Sequence, residues 1–119
     1  MAEIIVLDDV SDAGTLVKRI LERKGHKVHA FTEEEQAIRH AAEHPTDLAI
    51  LDIKLKKMTG VEVLEELKKA RPEIKAIMLT GYPTLETARQ ALDLGASEYC
   101  VKPIDKSELE AKVAEVLGA

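Results

Sequence analysis

The chain has 119 residues, of which 45% are hydrophobic and 33% charged, with a formal net charge of −5. That length suits one domain with a real core, and the acidic balance argues against a generic nucleic-acid surface, which needs clustered Lys and Arg. A single cysteine, Cys100, excludes an internal disulfide framework and leaves too few thiols for a cysteine metal site, which makes a reducing cytoplasm the natural compartment.

Short apolar runs alternate with helical patterns along the chain. Ile4 to Leu7 is a β-like run. Ala13, Leu16, Val17, Ile20 and Leu21 follow helical spacing and stop before Gly25. Val28 to Phe31 is a second, mixed strand. Thr32 and Glu35 then form a capping-box pattern for a helix that buries Ala37, Ile38, Ala41 and Ala42. The third strand is Leu48 to Leu51. Val61, Val63, Leu64 and Leu67 belong to a helix that must stop near Pro72. The fourth strand is Ile74 to Leu79. Leu85, Ala88, Ala91 and Leu92 make the next helical stripe, closed by Gly95. Ser97 to Val101 is the fifth strand. Asp105 with Glu108 caps a last helix carrying Leu109, Val113, Val116 and Leu117.

Five βα units in a row predict a parallel sheet with helices on both faces, in one domain over residues 1–119. The first, third and fourth strands are almost wholly apolar, as strands buried on both faces should be. The second carries His29 and the fifth Ser97 and Glu98, so these two read as edges. The predicted fold is therefore the flavodoxin-like doubly wound α/β fold, (βα)5, with strand order 2-1-3-4-5. Its site lies at the carboxyl ends of the strands, where the order reverses.

The central strands deliver a defined set of groups to that edge. The first ends in Asp8 and Asp9, the third in Asp52, the fourth in Thr80, and the fifth in Lys102 followed by Pro103. Three carboxylates close together repel unless a cation joins them. One lysine does not offset three charges. Mg²⁺ prefers oxygen ligands, binds through one or two carboxylates and leaves positions open for water and phosphate. Lys102 and the Thr80 hydroxyl are then donors for the remaining oxygens of a phosphoryl group. An Asp beside a metal and a lysine can be the nucleophile that gives an aspartyl phosphate. Read singly, Asp8 and Asp9 also suit a helix N-terminus, Asp52 a turn, Thr80 a strand end and Lys102 the surface.

The segments VLDDV, LAILDIKL followed by TG, IMLTGY and EYCVKP, in this order at strand ends, resemble the receiver domain of bacterial two-component response regulators. The likeness covers essentially the whole chain. It implies a phosphoacceptor switch, not an enzyme with a separate substrate, that catalyses its own phosphorylation and dephosphorylation. It further implies that Asp52 is the phosphoacceptor. Asp8, Asp9, Asp52 and the backbone carbonyl of Lys54 would hold Mg²⁺. Thr80 and Lys102 would contact the phosphoryl oxygens, and Tyr99 would change rotamer as Thr80 moves. The Lys102–Pro103 peptide is expected to be cis. The implied partners are a sensor histidine kinase or a phosphotransfer protein, and an output domain or partner protein read by the α4–β5–α5 surface, with a homodimer possible on phosphorylation.

The chain departs from the family at Lys56 and Lys57, where Pro and Gly are usual, and at Val10 and Thr59, where an acid is common. Lys56 and Lys57 are expected to raise the positive potential near the phosphoryl group and to loosen the loop. Tyr82 is a candidate shield for the phosphate, and Cys100 a small buried hydrophobe. The run Glu33-Glu34-Glu35 reads as a helix N-terminus, and His26, His29, His40 and His44 show no metal spacing. A small Mg²⁺-dependent phosphohydrolase with an aspartyl-phosphate intermediate would use the same acids, but no strand-end histidine offers a base. No run reaches the roughly 18 apolar residues of a membrane span, and MAEIIVLDD is too short and acidic for a signal peptide. Neither a membrane nor direct nucleic-acid contact is expected.

Overall fold

A computed structural model describes residues 2–118. In chain order the elements are β1 Glu3–Leu7, α1 Ser11–Glu22, β2 Lys27–Phe31, α2 Glu34–Glu43, β3 Leu48–Leu51, α3 Gly60–Ala70, β4 Lys75–Thr80, α4 Leu85–Asp93, β5 Glu98–Val101 and α5 Lys106–Leu117. The strands pair in parallel in the order β2-β1-β3-β4-β5, as expected, so β1 and β3 meet where the order reverses. Among the described residues no helix is long and apolar enough to cross a membrane.

The apolar runs are explained by two cores, one on each face of the sheet. Successive side chains of a strand point to opposite faces. In β1, Ile4 and Val6 enter one core while Ile5 and Leu7 enter the other. In β3, Leu48 and Ile50 divide from Ala49 and Leu51 in the same way. Helices α1 and α5 close one core through Leu21, Leu109 and Val113. Helices α2 and α3 close the other through Ala37, Ala41, Val63, Leu64 and Leu67. Each fully buried Ile or Leu contributes about 1.5–3 kcal/mol relative to exposure, so neither face can be left bare.

Several local expectations are corrected. The Thr32–Glu35 capping box does not form. Helix α2 starts at Glu34, its N-cap is Glu33, and no side chain caps it. Thr32 lies one residue too early for its hydroxyl to serve the first turn. The complete capping box belongs instead to Thr59 and Glu62 at α3, with hydrogen bonds of 3.2 and 2.9 Å. Asp105 does cap α5, accepting the Glu108 N–H at 2.7 Å. Ala42 is exposed. So are Leu16 at 59%, Leu85 at 77% and Leu92 at 57%. Helix α4 meets α3 and β5 through a narrow face where Ala91 is buried, so its larger side chains stay on the outer flanks.

Gly60 is required by close approach. A Cβ there would lie 2.0 Å from the carbonyl oxygen of Asp52 and 2.8 Å from its carbon. Both are backbone atoms, which cannot move aside without shifting β3. Gly60→Ala is therefore expected to lower stability by about 3 kcal/mol, read as a fall in the urea midpoint.

The histidines also behave differently from four isolated surface groups. His40 lies between His29 and His44, with ring centroids 4.5 Å from each. Burial, then the neighbouring His29 and His44, hold the His40 pKa below its ordinary 6.5, against the weaker pull of Glu3 and Glu43. Burial lowers His26 as well. The unfolded chain thus takes up these protons first as pH falls. Stability is expected to be lost as pH drops below 6.5 through the folded values. Melting temperatures measured from pH 7.5 down to about 5 should show this loss, and His40→Gln should reduce it.

Candidate functional site

The site begins where the ladder hydrogen bonds of β1 and β3 run one residue past each strand. The Asp8 N–H donates to the Phe31 carbonyl, and the Asp52 N–H to the Leu7 carbonyl, each at 3.1 Å. Both acids are thereby carried to the carboxyl edge of the sheet, side by side at the switch point. Asp8 and Asp52 are buried, at 6% and 7% exposure, and Asp9 is half-buried. One oxygen from each of the three lies within 4.8 Å of the others, which makes a group able to hold a metal ion. Asp8 also closes an Asx turn, with Oδ1 accepting the Val10 N–H at 2.8 Å. Asp52 Oδ1 accepts the Lys54 N–H at 3.3 Å.

Lys102 reaches the same point from the far strand. Its Nζ donates to Asp8 Oδ2 at 2.6 Å and to Asp52 Oδ2 at 2.9 Å. Its own N–H donates to the Thr80 carbonyl at 2.8 Å, and the Lys102–Pro103 peptide is cis. Burial disfavours the ammonium charge, but the hydrogen bonds to Asp8 and Asp52 outweigh it and raise the Lys102 pKa above 10.5. The lysine therefore keeps its proton throughout the neutral range. Like charges this close repel by roughly 3 kcal/mol per pair at an effective dielectric of about 20. One ammonium against three carboxylates leaves a net charge of −2 at the cluster. The donor set is all oxygen, hard and anionic, which suits a small divalent cation.

The remaining expected residues surround this cluster without joining it. Thr80 is fully buried at the end of β4, and its Oγ1 accepts the Tyr82 N–H at 3.0 Å. An open depression of about 290 Å³ lies over the acids, lined by Asp9, Asp52, Lys54, Tyr82 and Lys102 among others, but not by Thr80. Tyr82 is 62% exposed at its rim, with Lys54 Nζ 4.4 Å from the ring centroid. Tyr99 is half-buried and tied to the start of α4: its hydroxyl shares a 2.8 Å hydrogen bond with Thr87 Oγ1 and accepts the Thr84 N–H at 3.4 Å.

The Lys56 and Lys57 ammonium groups pair with Glu33 at 3.5 Å and Glu35 at 3.0 Å, and neither lines the depression. The loop backbone is tied to α2 as well. Glu34, which is 1% exposed, accepts the backbone N–H groups of Lys57 and Met58 at 2.6 and 3.0 Å on one oxygen. Glu34 escaped the sequence reading because an acidic triplet at a helix start has an ordinary explanation there. Only the partner segment, 23 residues away, shows otherwise.

The family described as "Response regulator receiver domain" matches residues 4–114. A relative from Klebsiella oxytoca, the transcriptional regulatory protein ZraR, is 33% identical over 98% of this chain and 26% of its own length. The chain thus spans about a quarter of that relative. The CheY-like receiver domain protein from Methanospirillum hungatei superposes with a TM-score of 0.95 at 35% identity, covering 98% of this chain and 94% of that one. The structure titled BeF3 Activated DrrB Receiver Domain superposes at a TM-score of 0.90 with 28% identity, covering 100% and 99% of the two chains. With three carboxylates and a lysine gathered at the switch point of this fold, the chain belongs to the response regulator receiver domain family.

Proposed function

We propose that this chain is a phosphorylation-controlled switch in which Asp52 receives a phosphoryl group from a histidine kinase or a phosphotransfer protein. The observation that carries this reading is the junction of Asp8, Asp9 and Asp52 with Lys102 bridging two of them. Asp8, Asp9, Asp52 and the Lys54 carbonyl would hold Mg²⁺, which when bound supplies positive charge opposite the phosphoryl oxygens. Catalysis is then mainly positioning and charge neutralisation.

The chain's own residues have distinct roles in this scheme. An Asp52 carboxylate oxygen attacks phosphorus as the bond to the donor's imidazole nitrogen breaks, and that nitrogen keeps the electron pair. Lys102 exchanges its contact with Asp52 for a phosphoryl oxygen. The Thr80 hydroxyl already accepts from Tyr82, so its own proton is free to donate to a second oxygen. The phosphoryl group brings about −1.5 to −2 charge. Drawing Thr80 toward it changes the space beside Tyr99. Turning Tyr99 would break its hydrogen bonds to Thr84 and Thr87 in the first turn of α4. The change thus passes to a surface on α4 and β5 that already exposes Leu85, Leu92 and Val101. An output domain, a partner protein or a second copy would read that surface. Cytoplasmic placement, beside a cytoplasmic kinase domain, fits the scheme.

Labelling with acetyl phosphate and Mg²⁺ tests the acceptor. Asp52→Asn and chelation by EDTA are each expected to abolish the label, and label that persists in Asp52→Asn would sink the assignment. Rapid multiple turnover of a phosphate ester would favour the phosphohydrolase reading instead; slow, near-stoichiometric labelling favours the switch.

The relay is tested with beryllofluoride. Amide signals of α4 and β5 should shift in the wild type. In Thr80→Ala, Asp52 should still be labelled but those shifts should be lost. Full α4 shifts in that variant would rule out the Thr80–Tyr99 route.

A further inference from the structure

The loop between β3 and α3 follows the phosphoacceptor directly and carries Lys54. It is short of internal partners. Lys54 forms an isolated antiparallel bridge with Thr59 across it. The N–H groups of Lys57 and Met58, at its far turn, find no acceptor within the loop and converge on Oε2 of Glu34. Two successive backbone N–H groups aimed at one anion form a nest-like cradle. The anion is supplied by the first residue of α2.

The placement of Glu34 is costly for a residue that merely fills space. It is 1% exposed, and its Oε1 has no hydrogen-bond partner. Burying a carboxylate without a close counter-ion is unfavourable, and a half-satisfied polar group in a core costs more than an apolar one. Burial pushes the Glu34 carboxyl up, but the N–H groups of Lys57, of Glu34 itself and of Met58, with the Lys57 charge, together bring it below 4.5, so it stays ionised. The flanking pairs Glu33–Lys56 and Glu35–Lys57 are solvent-exposed, and such pairs contribute little. The buried central acid therefore accounts for the tie between α2 and the loop. Gly60 closes the loop from the other end, with its N–H on the Ile53 carbonyl at 2.8 Å.

We propose that Glu34 is a positioning residue for the phosphorylation site: it clamps the loop that follows Asp52 and so keeps the Lys54 carbonyl and the Asp52 carboxylate in register with Asp8 and Asp9. This rests on the phosphoacceptor reading above. The clamp also gives α2 a direct hold on the loop that follows Asp52.

The test uses Glu34→Ala, Glu34→Asp and Glu34→Gln, with Glu33→Gln/Glu35→Gln as control. Glu34→Asp keeps the charge but withdraws the oxygens by one methylene. Glu34→Gln keeps an oxygen in reach. Mg²⁺ is titrated against the amide signals of Asp9, Asp52 and Lys54 at low temperature, to favour the folded state of the variants. Hydrogen exchange of amides 54–58 is followed without metal. Glu34→Ala and Glu34→Asp are expected to raise the Mg²⁺ midpoint about tenfold and to speed exchange in the loop. Glu34→Gln should recover most of both, and the control should match the wild type. A variant with a lower melting temperature but an unchanged Mg²⁺ midpoint would show Glu34 to be structural only and would overturn the proposal. If Glu34→Ala does not fold, Glu34→Asp and Glu34→Gln decide by the same two readouts. A wild type that takes no label on Asp52 would fail the phosphoacceptor reading itself, and this proposal with it; altered variants beside a labelled wild type separate the two.

Discussion

The structure depends on a single ammonium group shared between two strand ends. Lys102, after β5, holds Asp8, after β1, and Asp52, after β3, at 2.6 and 2.9 Å. Three carboxylates at one sheet edge repel one another, and the ammonium offsets part of that repulsion. With one cation for three anions the site stays electron-rich and incompletely neutralised. That imbalance, with an all-oxygen donor set, suits a small divalent cation.

Everything around the cluster serves to hold it at that edge. The two cores pack both faces of β1 and β3, so the strands cannot slide without exposing Ile4 or Ile5, Leu48 or Leu51. The strands are rigid and the connecting loops are where change can occur. One loop, after β3, is tied by Glu34, Gly60 and the Thr59–Glu62 box. Another, after β4, is tied more lightly, through the Thr80–Tyr82 and Tyr99–Thr84 hydrogen bonds. The loop after β3 therefore has buried ties, while the side that faces α4 relies on exposed hydrogen bonds, which open more readily.

The strands, their order and the strand-end residues were legible in the sequence because each rests on a local pattern. An apolar run of four residues followed by an acid marks Leu48–Leu51 as a buried strand with Asp52 at its carboxyl end. The limits of that reading appear at particular residues. Thr32 and Glu35 had the spacing of a capping box, yet α2 begins too late for it, because Glu34 is drawn inward to the loop after β3. Leu85 and Leu92 had helical spacing, yet they are exposed because α4 packs chiefly on α3 and β5, through the face that carries Ala91. Periodicity says that a helix has an apolar stripe; it does not say whether another element covers it.

The amino-acid sequence by itself determined the alternation of strands and helices, the two edge strands and the residue that each strand delivers to its carboxyl end. These follow from side-chain periodicity of 2.0 and 3.6 residues, which acts over short range. Only the tertiary structure decided that Lys102 bridges Asp8 and Asp52, that Tyr99 is bound to the first turn of α4, and that the Lys57 and Met58 N–H groups of the DIKLKKMTG stretch converge on Glu34 of the acidic triplet. Each of these contacts joins residues 12 to 94 positions apart. Hydrogen-bond partners at such separations are set by how the layers pack, and no local pattern records that.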